Sequence, residues 1–144
     1  MILLDTTVLI YAVGDAHPLR APCRRVLAAH AEGRIEATTI VQVIEEVAHV
    51  RSRRKDRADA VALATRLAEA FEPLSATSTD LLLGLELFER YTELSAFDAV
   101  LAAVALNRQV EALVSGDPVY ALVPGLRWCD PLTSALDTLL GERA

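Results

Sequence analysis

Four carboxylates sit where the chain is most hydrophobic. Asp5 ends the apolar run Ile2-Leu3-Leu4. Glu46 lies inside a segment of helical period. Asp98 opens a nearly all-apolar helix, and Asp117 ends the run Ala112-Leu113-Val114-Ser115. A carboxylate is costly to desolvate alone, so several of them at the edge of a core point to a shared cation. Carboxylate oxygens and water suit hard divalent ions such as Mg²⁺ or Mn²⁺. No competing ligand cluster is visible. His17, His30 and His49 are scattered, and Cys23 and Cys129 lack the paired spacing of a zinc site, so both read as buried small hydrophobes.

Each acid also has a purely structural reading. Asp5 could cap a helix beginning at Thr6, and Asp117-Pro118 makes a good cap and first turn. Ser95-Ala96-Phe97-Asp98 has capping-box spacing. The helix that follows, Ala99 to Leu106, is apolar on all sides, which implies burial and sets Asp98 against packing partners. Of the adjacent pair Glu45 and Glu46, the second joins the face of Val43 and Val50 and is assigned inward. Glu45 aligns with Val41 and His49, where it could pair with the histidine.

The elements that must position these acids alternate between short apolar strands and helices. Strands are expected at Ile2–Leu4, 35–38, Phe71–Leu74 (an edge, given Pro73), 112–115 and, weakly, 126–128. A helical turn or short helix is expected from Thr6 to Ala12, and helices from Pro18 to about Glu32 and from Val41 to about Arg54. Asp56 caps the next, which ends near Phe71. Thr79 or Ser78 caps one running through Phe88, Ser95 caps one to about Arg108, and a terminal helix could span 133–144. That alternation argues for an α/β fold with a parallel sheet covered on both faces. Ligands in such folds sit beyond the carboxyl ends of the strands, where Asp5 and Asp117 fall.

At 144 residues the chain reads as a single domain, 1–144, with enough apolar residues for a core. No apolar stretch approaches the roughly 18–20 residues of a membrane helix, and the N-terminus lacks a secretory pattern, so a cytoplasmic protein without a membrane partner is expected. The net charge of −6 disfavours general nucleic-acid affinity. A basic run, Arg51, Arg53, Arg54, Lys55 and Arg57, stands against that average. It reads either as an RNA path or as cations favoured at a helix C-terminus.

Four segments together resemble the PIN-domain ribonucleases, particularly VapC-type toxins of toxin–antitoxin pairs. They are Leu4-Asp5-Thr6-Thr7-Val8-Leu9-Ile10-Tyr11-Ala12, Ile44-Glu45-Glu46-Val47-Ala48-His49-Val50, Leu94-Ser95-Ala96-Phe97-Asp98-Ala99-Val100-Leu101-Ala102-Ala103, and Leu113-Val114-Ser115-Gly116-Asp117 with Leu126-Arg127-Trp128. They occur in family order over nearly the whole chain. The resemblance implies a three-layer α/β/α sandwich with a central, mainly parallel sheet. It implies Mg²⁺- or Mn²⁺-dependent cleavage of RNA, with acidic roles on Asp5, Glu46, Asp98 and Asp117 and the principal ion on Asp5 and Asp98. It places small hydroxyl residues at Thr6 and Ser115, and it implies a VapB-like antitoxin partner and a homodimer. The fourth acid departs from the pattern, being followed by Pro118-Val119-Tyr120 rather than by one residue and then an aromatic. Two other classes compete: a non-catalytic PIN-like binding module, and a metal-dependent phosphatase. The phosphatase would need an aspartate two places after Asp5, where this chain has Thr7.

Overall fold

The computed structural model describes residues 1–142. Strand β1 (Ile2–Leu4) is buried along its whole length and lies between β2 (Ala37–Thr38) and β3 (Ala112–Val114), with β4 (Trp128–Cys129) outermost. All pairings are parallel. Ile2 stands opposite both Ala37 and Ala112, and Leu113 opposite Trp128. The order β2-β1-β3-β4 means that the chain leaves β1 on one side, then returns to its other side as β3. The cleft beyond the β1 and β3 carboxyl ends is therefore the switch point where doubly wound sheets bind ligands. Asp5 and Ser115 are the first residues past those two ends.

Helices α1 (Thr6–Val13), α2 (Arg20–Ala31), α3 (Val41–Arg54), α4 (Arg57–Phe71), α5 (Ser78–Arg90), α6 (Ala96–Asn107) and α7 (Ser134–Leu139) flank the sheet, and Pro118–Leu122 forms a 3₁₀ turn. This is the expected α/β/α sandwich. One continuous core joins the strands to these helices, with Leu3, Leu4, Val8, Leu9, Leu101 and Leu113 fully buried within it. Helices α5 and α6 approach closely at Gly84. A Cβ there would come within 2.8–3.1 Å of Val100, including its backbone, so any side chain would push α6 and Asp98 away.

Several expected boundaries shift. The second strand is only Ala37–Thr38, the second helix starts at Arg20 rather than Pro18, and β4 falls at Trp128–Cys129. The expected strand Phe71–Leu74 is absent. Phe71 completes the buried stripe of Leu63 and Leu67 on α4, and Glu72 ends the helix in the left-handed region at φ 44°. Leu74 contributes only a single bridge to Ile40. The α5 cap is Thr77, neither Ser78 nor Thr79, in a complete box with Asp80. The final helix is confined to Ser134–Leu139, and the last part of its expected span, 143–144, lies outside the described residues.

Candidate active site

The four acids come from four separate segments. Asp5 follows β1, Glu46 lies on α3, Asp98 is in the first turn of α6, and Asp117 follows β3. All four line one open cleft of about 400 Å³, together with Thr6, Thr7, Tyr11, Phe97 and Arg54. Asp5 is the most deeply set, at 4% exposure. The other three are half-buried.

Asp5 precedes α1 but its side chain makes no capping bond to that helix. Instead Ser115 Oγ donates to Asp5 Oδ2 at 2.6 Å, and Thr7 Oγ1 donates to the same oxygen at 3.2 Å. That leaves Oδ1 without a side-chain donor. The hydroxyls are fixed in turn. Gly116 N donates to Thr7 Oγ1 and Asp117 N to Ser115 Oγ, each at 3.0 Å. Thr39 Oγ1 donates to the Leu4 carbonyl and closes the end of β1. Burial pushes the Asp5 carboxyl up to about 6. The Asp98 charge adds to that rise, while the bonds from Ser115, the Thr6 amide and Thr7 oppose it.

Glu46 accepts a hydrogen bond from Thr6 Oγ1 at 2.5 Å, which ties α3 to the start of α1. Glu45 is exposed and outside the cleft. Its expected pairing with His49 does not form among the described residues; His49 is exposed and its carbonyl accepts from Ser52. At Asp98 the capping box is half made. Ser95 Oγ accepts from Asp98 N at 3.0 Å, but the carboxylate is engaged elsewhere, with Tyr120 OH donating to Oδ1 at 3.0 Å. Asp117 does cap: its Oδ1 accepts from Val119 N at 3.0 Å.

Sequence reasoning missed the positioning roles of Thr7 and Tyr120. Thr7 lies in the opening motif, but nothing in its local pattern marks a hydroxyl that reaches Asp5 and Gly116. Tyr120 has a readable signal, since a buried tyrosine hydroxyl needs a partner. The ring is fully buried. Burial and then the charges of Asp5, Asp98 and Asp117 push its hydroxyl far above the ordinary range, so it remains a donor. Trp128 Nε1 donates to the Ser115 carbonyl at 2.9 Å and braces the same strand end from β4.

None of the four acids is ion-paired with an arginine, lysine or histidine among the described residues. The lining offers carboxylate and hydroxyl oxygens and neither histidine nor cysteine. That donor set fits a hard divalent cation. The acids line an open cleft rather than a closed cage. Among the described residues, no three histidine, cysteine or acidic side chains are already gathered around an ion position. Water and substrate oxygens are the natural complement of such a set, because Mg²⁺ retains several waters.

The PIN domain family profile matches residues 2–126. The chain is 48% identical to Ribonuclease VapC7 of Mycobacterium tuberculosis over 148 aligned positions, 99% of this chain and 100% of that protein. It is 30% identical to Ribonuclease VapC13 of the same organism over 88% of this chain and 98% of that one. Among solved structures, the fold is similar to a toxin–antitoxin complex from Klebsiella pneumoniae (TM-score 0.68, 18% identity, 91% of this chain and 98% of that one). It is similar also to FitAcB from Neisseria gonorrhoeae (TM-score 0.68, 17% identity, 91% and 98%).

Proposed function

The chain belongs to the PIN-domain family and, within it, to the VapC ribonucleases, and from that premise we propose how its cleft cuts RNA. It is an endoribonuclease, the toxic component of a toxin–antitoxin module. Its partners are an RNA substrate and a VapB-like antitoxin. The observation that carries the catalytic reading is the convergence of four unpaired carboxylates on one open cleft at the sheet's switch point.

The cofactor is a divalent cation, which we read as Mg²⁺ with Mn²⁺ as a substitute, on the strength of an all-oxygen lining. Such an ion, when bound, activates water, neutralises charge at phosphorus and stabilises the leaving oxygen. Asp5 and Asp98 are the residues that would hold it, and Asp117 would complete the set directly or through water. Glu46, fixed by Thr6, orients the attacking water. Ser115 and Thr7 hold Asp5 in one rotamer, and Tyr120 does the same for Asp98. The openness of the cleft admits an extended strand. No helix among the described residues is long and apolar enough to cross a membrane. We place the protein in the cytoplasm, where its RNA substrate is.

Purified protein should cleave RNA in Mg²⁺ and lose that activity as Asp98→Asn, a change that keeps shape and removes charge. Equal rates for the two at the same Mg²⁺ would overturn the assignment. A phosphomonoester assay run beside it separates a phosphatase. Thr7 already argues against that class, which needs an aspartate at this position; its hydroxyl instead donates to Asp5 and accepts from the Gly116 amide. We also propose a homodimer through α5. Leu81, Leu82, Leu85 and Phe88 are 46–64% exposed there, a cluster that a lone subunit leaves in water. Light scattering should report a dimer that Leu82→Glu converts to monomer; a monomeric parent would refute it.

A further inference from the structure

The basic run after α3 is divided by the fold. Arg51 is committed to structure. Its Nε and Nη2 grip Asp59 at 2.6 and 3.2 Å, tying the end of α3 to the start of α4, and Asp15 lies near enough to reinforce its charge. Arg53, Lys55 and Arg57 are exposed and stand outside the acid cleft. Arg54 differs from all of them. It is exposed and, among the described residues, joins no ion pair and is the only basic one lining the cleft with Asp5, Glu46, Asp98 and Asp117.

Helical spacing accounts for its place. Glu46, Val50 and Arg54 recur every four residues along α3, so they share one face, and all three line the cleft. Eight residues of helix set the Arg54 backbone about 12 Å from that of Glu46. The macrodipole favours a cation in the last turn of any helix, and Arg51 and Arg53 satisfy it equally well. It does not explain an unpaired guanidinium on the rim of an acidic cleft. A phosphate does, because the guanidinium fork matches phosphate oxygens. In a chain of net charge −6, a local cation must receive the RNA backbone.

We propose that Arg54 holds an RNA phosphate that flanks the scissile one and so sets the strand's register across the acids. This rests on the ribonuclease reading above. Arg54 is a substrate-binding residue, displaced along α3 from the acids, so its loss raises KM and leaves kcat nearly unchanged.

The test is binding of a fluorescein-labelled single-stranded RNA of mixed sequence, followed by anisotropy across a salt series in Mg²⁺. The full chain carries Asp98→Asn to silence cleavage. Adding Arg54→Ala should weaken binding about two- to fivefold at low salt and reduce the salt slope by about 0.7. Arg54→Lys should keep the slope and recover part of the affinity. Arg53→Ala should change neither. Without Asp98→Asn, Arg54→Ala should raise KM by a similar factor. Unchanged affinity and slope in Arg54→Ala would overturn the Arg54 assignment and leave the nuclease standing. A parent chain that neither binds nor cleaves RNA would overturn both. Circular dichroism of each variant separates a folding defect from a binding one, and Arg54→Gln replaces Arg54→Ala if the latter misfolds.

Discussion

Asp5 and Asp80 are both buried aspartates, at 4% and 0% exposure, and the fold treats them in opposite ways. Asp80 closes the Thr77 capping box with a 2.8 Å bond from the Thr77 amide, accepts from Asn107 at 2.8 Å, and pairs with Arg108 at 3.3 Å. Burial alone would raise its carboxyl. The bonds from Thr77 and Asn107 and the Arg108 charge outweigh burial and hold the group below its usual range. Asp5 meets only hydroxyls and an amide, with another acid nearby, and its carboxyl rises to about 6. An acid surrounded by donors and a cation is content as an anion and stabilises the fold. An acid buried without a cation is held in a costly state, and persists where a ligand relieves that cost.

Asp5→Asn should sharpen this contrast most. Cleavage should fall by at least about 10³-fold, some 4 kcal/mol of transition-state stabilisation. In EDTA the same variant should melt at a higher temperature than the parent at neutral pH, because a buried unpaired charge is gone. A variant that is both active and less stable would break the comparison.

Asp80→Ala should do the reverse. It removes the box, strands Asn107 and leaves Arg108 without its partner, so unfolding stability should drop by about 3 kcal/mol. Urea titration measures it. Below the variant's melting temperature, kcat should remain near that of the parent, since Asp80 is outside the cleft.

The two acids also give opposite pH dependence. For Asp5 the folded value, about 6, exceeds the unfolded value of 3.8. Between those limits the folded chain holds a proton that the unfolded chain has released. Stability of the metal-free protein should therefore fall as pH rises from about 4 to about 6, by on the order of 2–3 kcal/mol, and flatten above. Asp80 has a lowered folded value, so its contribution is full above pH 3.8 and is lost only as pH falls further. Urea midpoints in EDTA should show the Asp5 decline. Mg²⁺ should abolish it, because a cation beside the carboxylate favours its charged form. A flat EDTA profile between pH 4 and 6 would remove the claim that Asp5 is strained.

The legibility of the two acids in the sequence differs for the same reason. Asp5, Asp98 and Asp117 interrupt apolar runs, and the contrast in polarity marks them. Glu46 rather than Glu45 follows from the Val43–Val50 face, and the structure puts Glu46 in the cleft and Glu45 outside it. Asp80 sits in the polar stretch Ser75–Asp80, where nothing marks it as buried. The run of hydroxyls Thr77-Ser78-Thr79 points to Ser78 or Thr79 as the cap and hides the box that Thr77 makes with Asp80, and Asn107 and Arg108 arrive from another helix, a contact invisible to local pattern. The false strand at Phe71–Leu74 has a related cause. An aromatic and a leucine around Pro73 read as an edge strand, whereas Phe71 continues the buried stripe of Leu63 and Leu67 on α4 and only Leu74 reaches Ile40. Short apolar runs locate strand ends well; they do not say which helix will lie beside which.

The smallest expected effect concerns how tightly the cleft's own acids are held. Tyr120 OH donates to Asp98 Oδ1 from a fully buried ring, and burial keeps that hydroxyl protonated. Tyr120→Phe removes one oxygen and leaves the ring's packing intact. Asp98 is half-buried and still has water within reach, so the loss is that of one charge-assisted bond partly replaced by solvent, about 1–1.5 kcal/mol. Cleavage should fall about tenfold with a raised Mg²⁺ requirement, and stability should change little. If instead Tyr120→Phe lost stability and kept its Mg²⁺ dependence, the bond would belong with Asp80's as part of the scaffold. The line between the two kinds of buried acid would then run through the cleft itself.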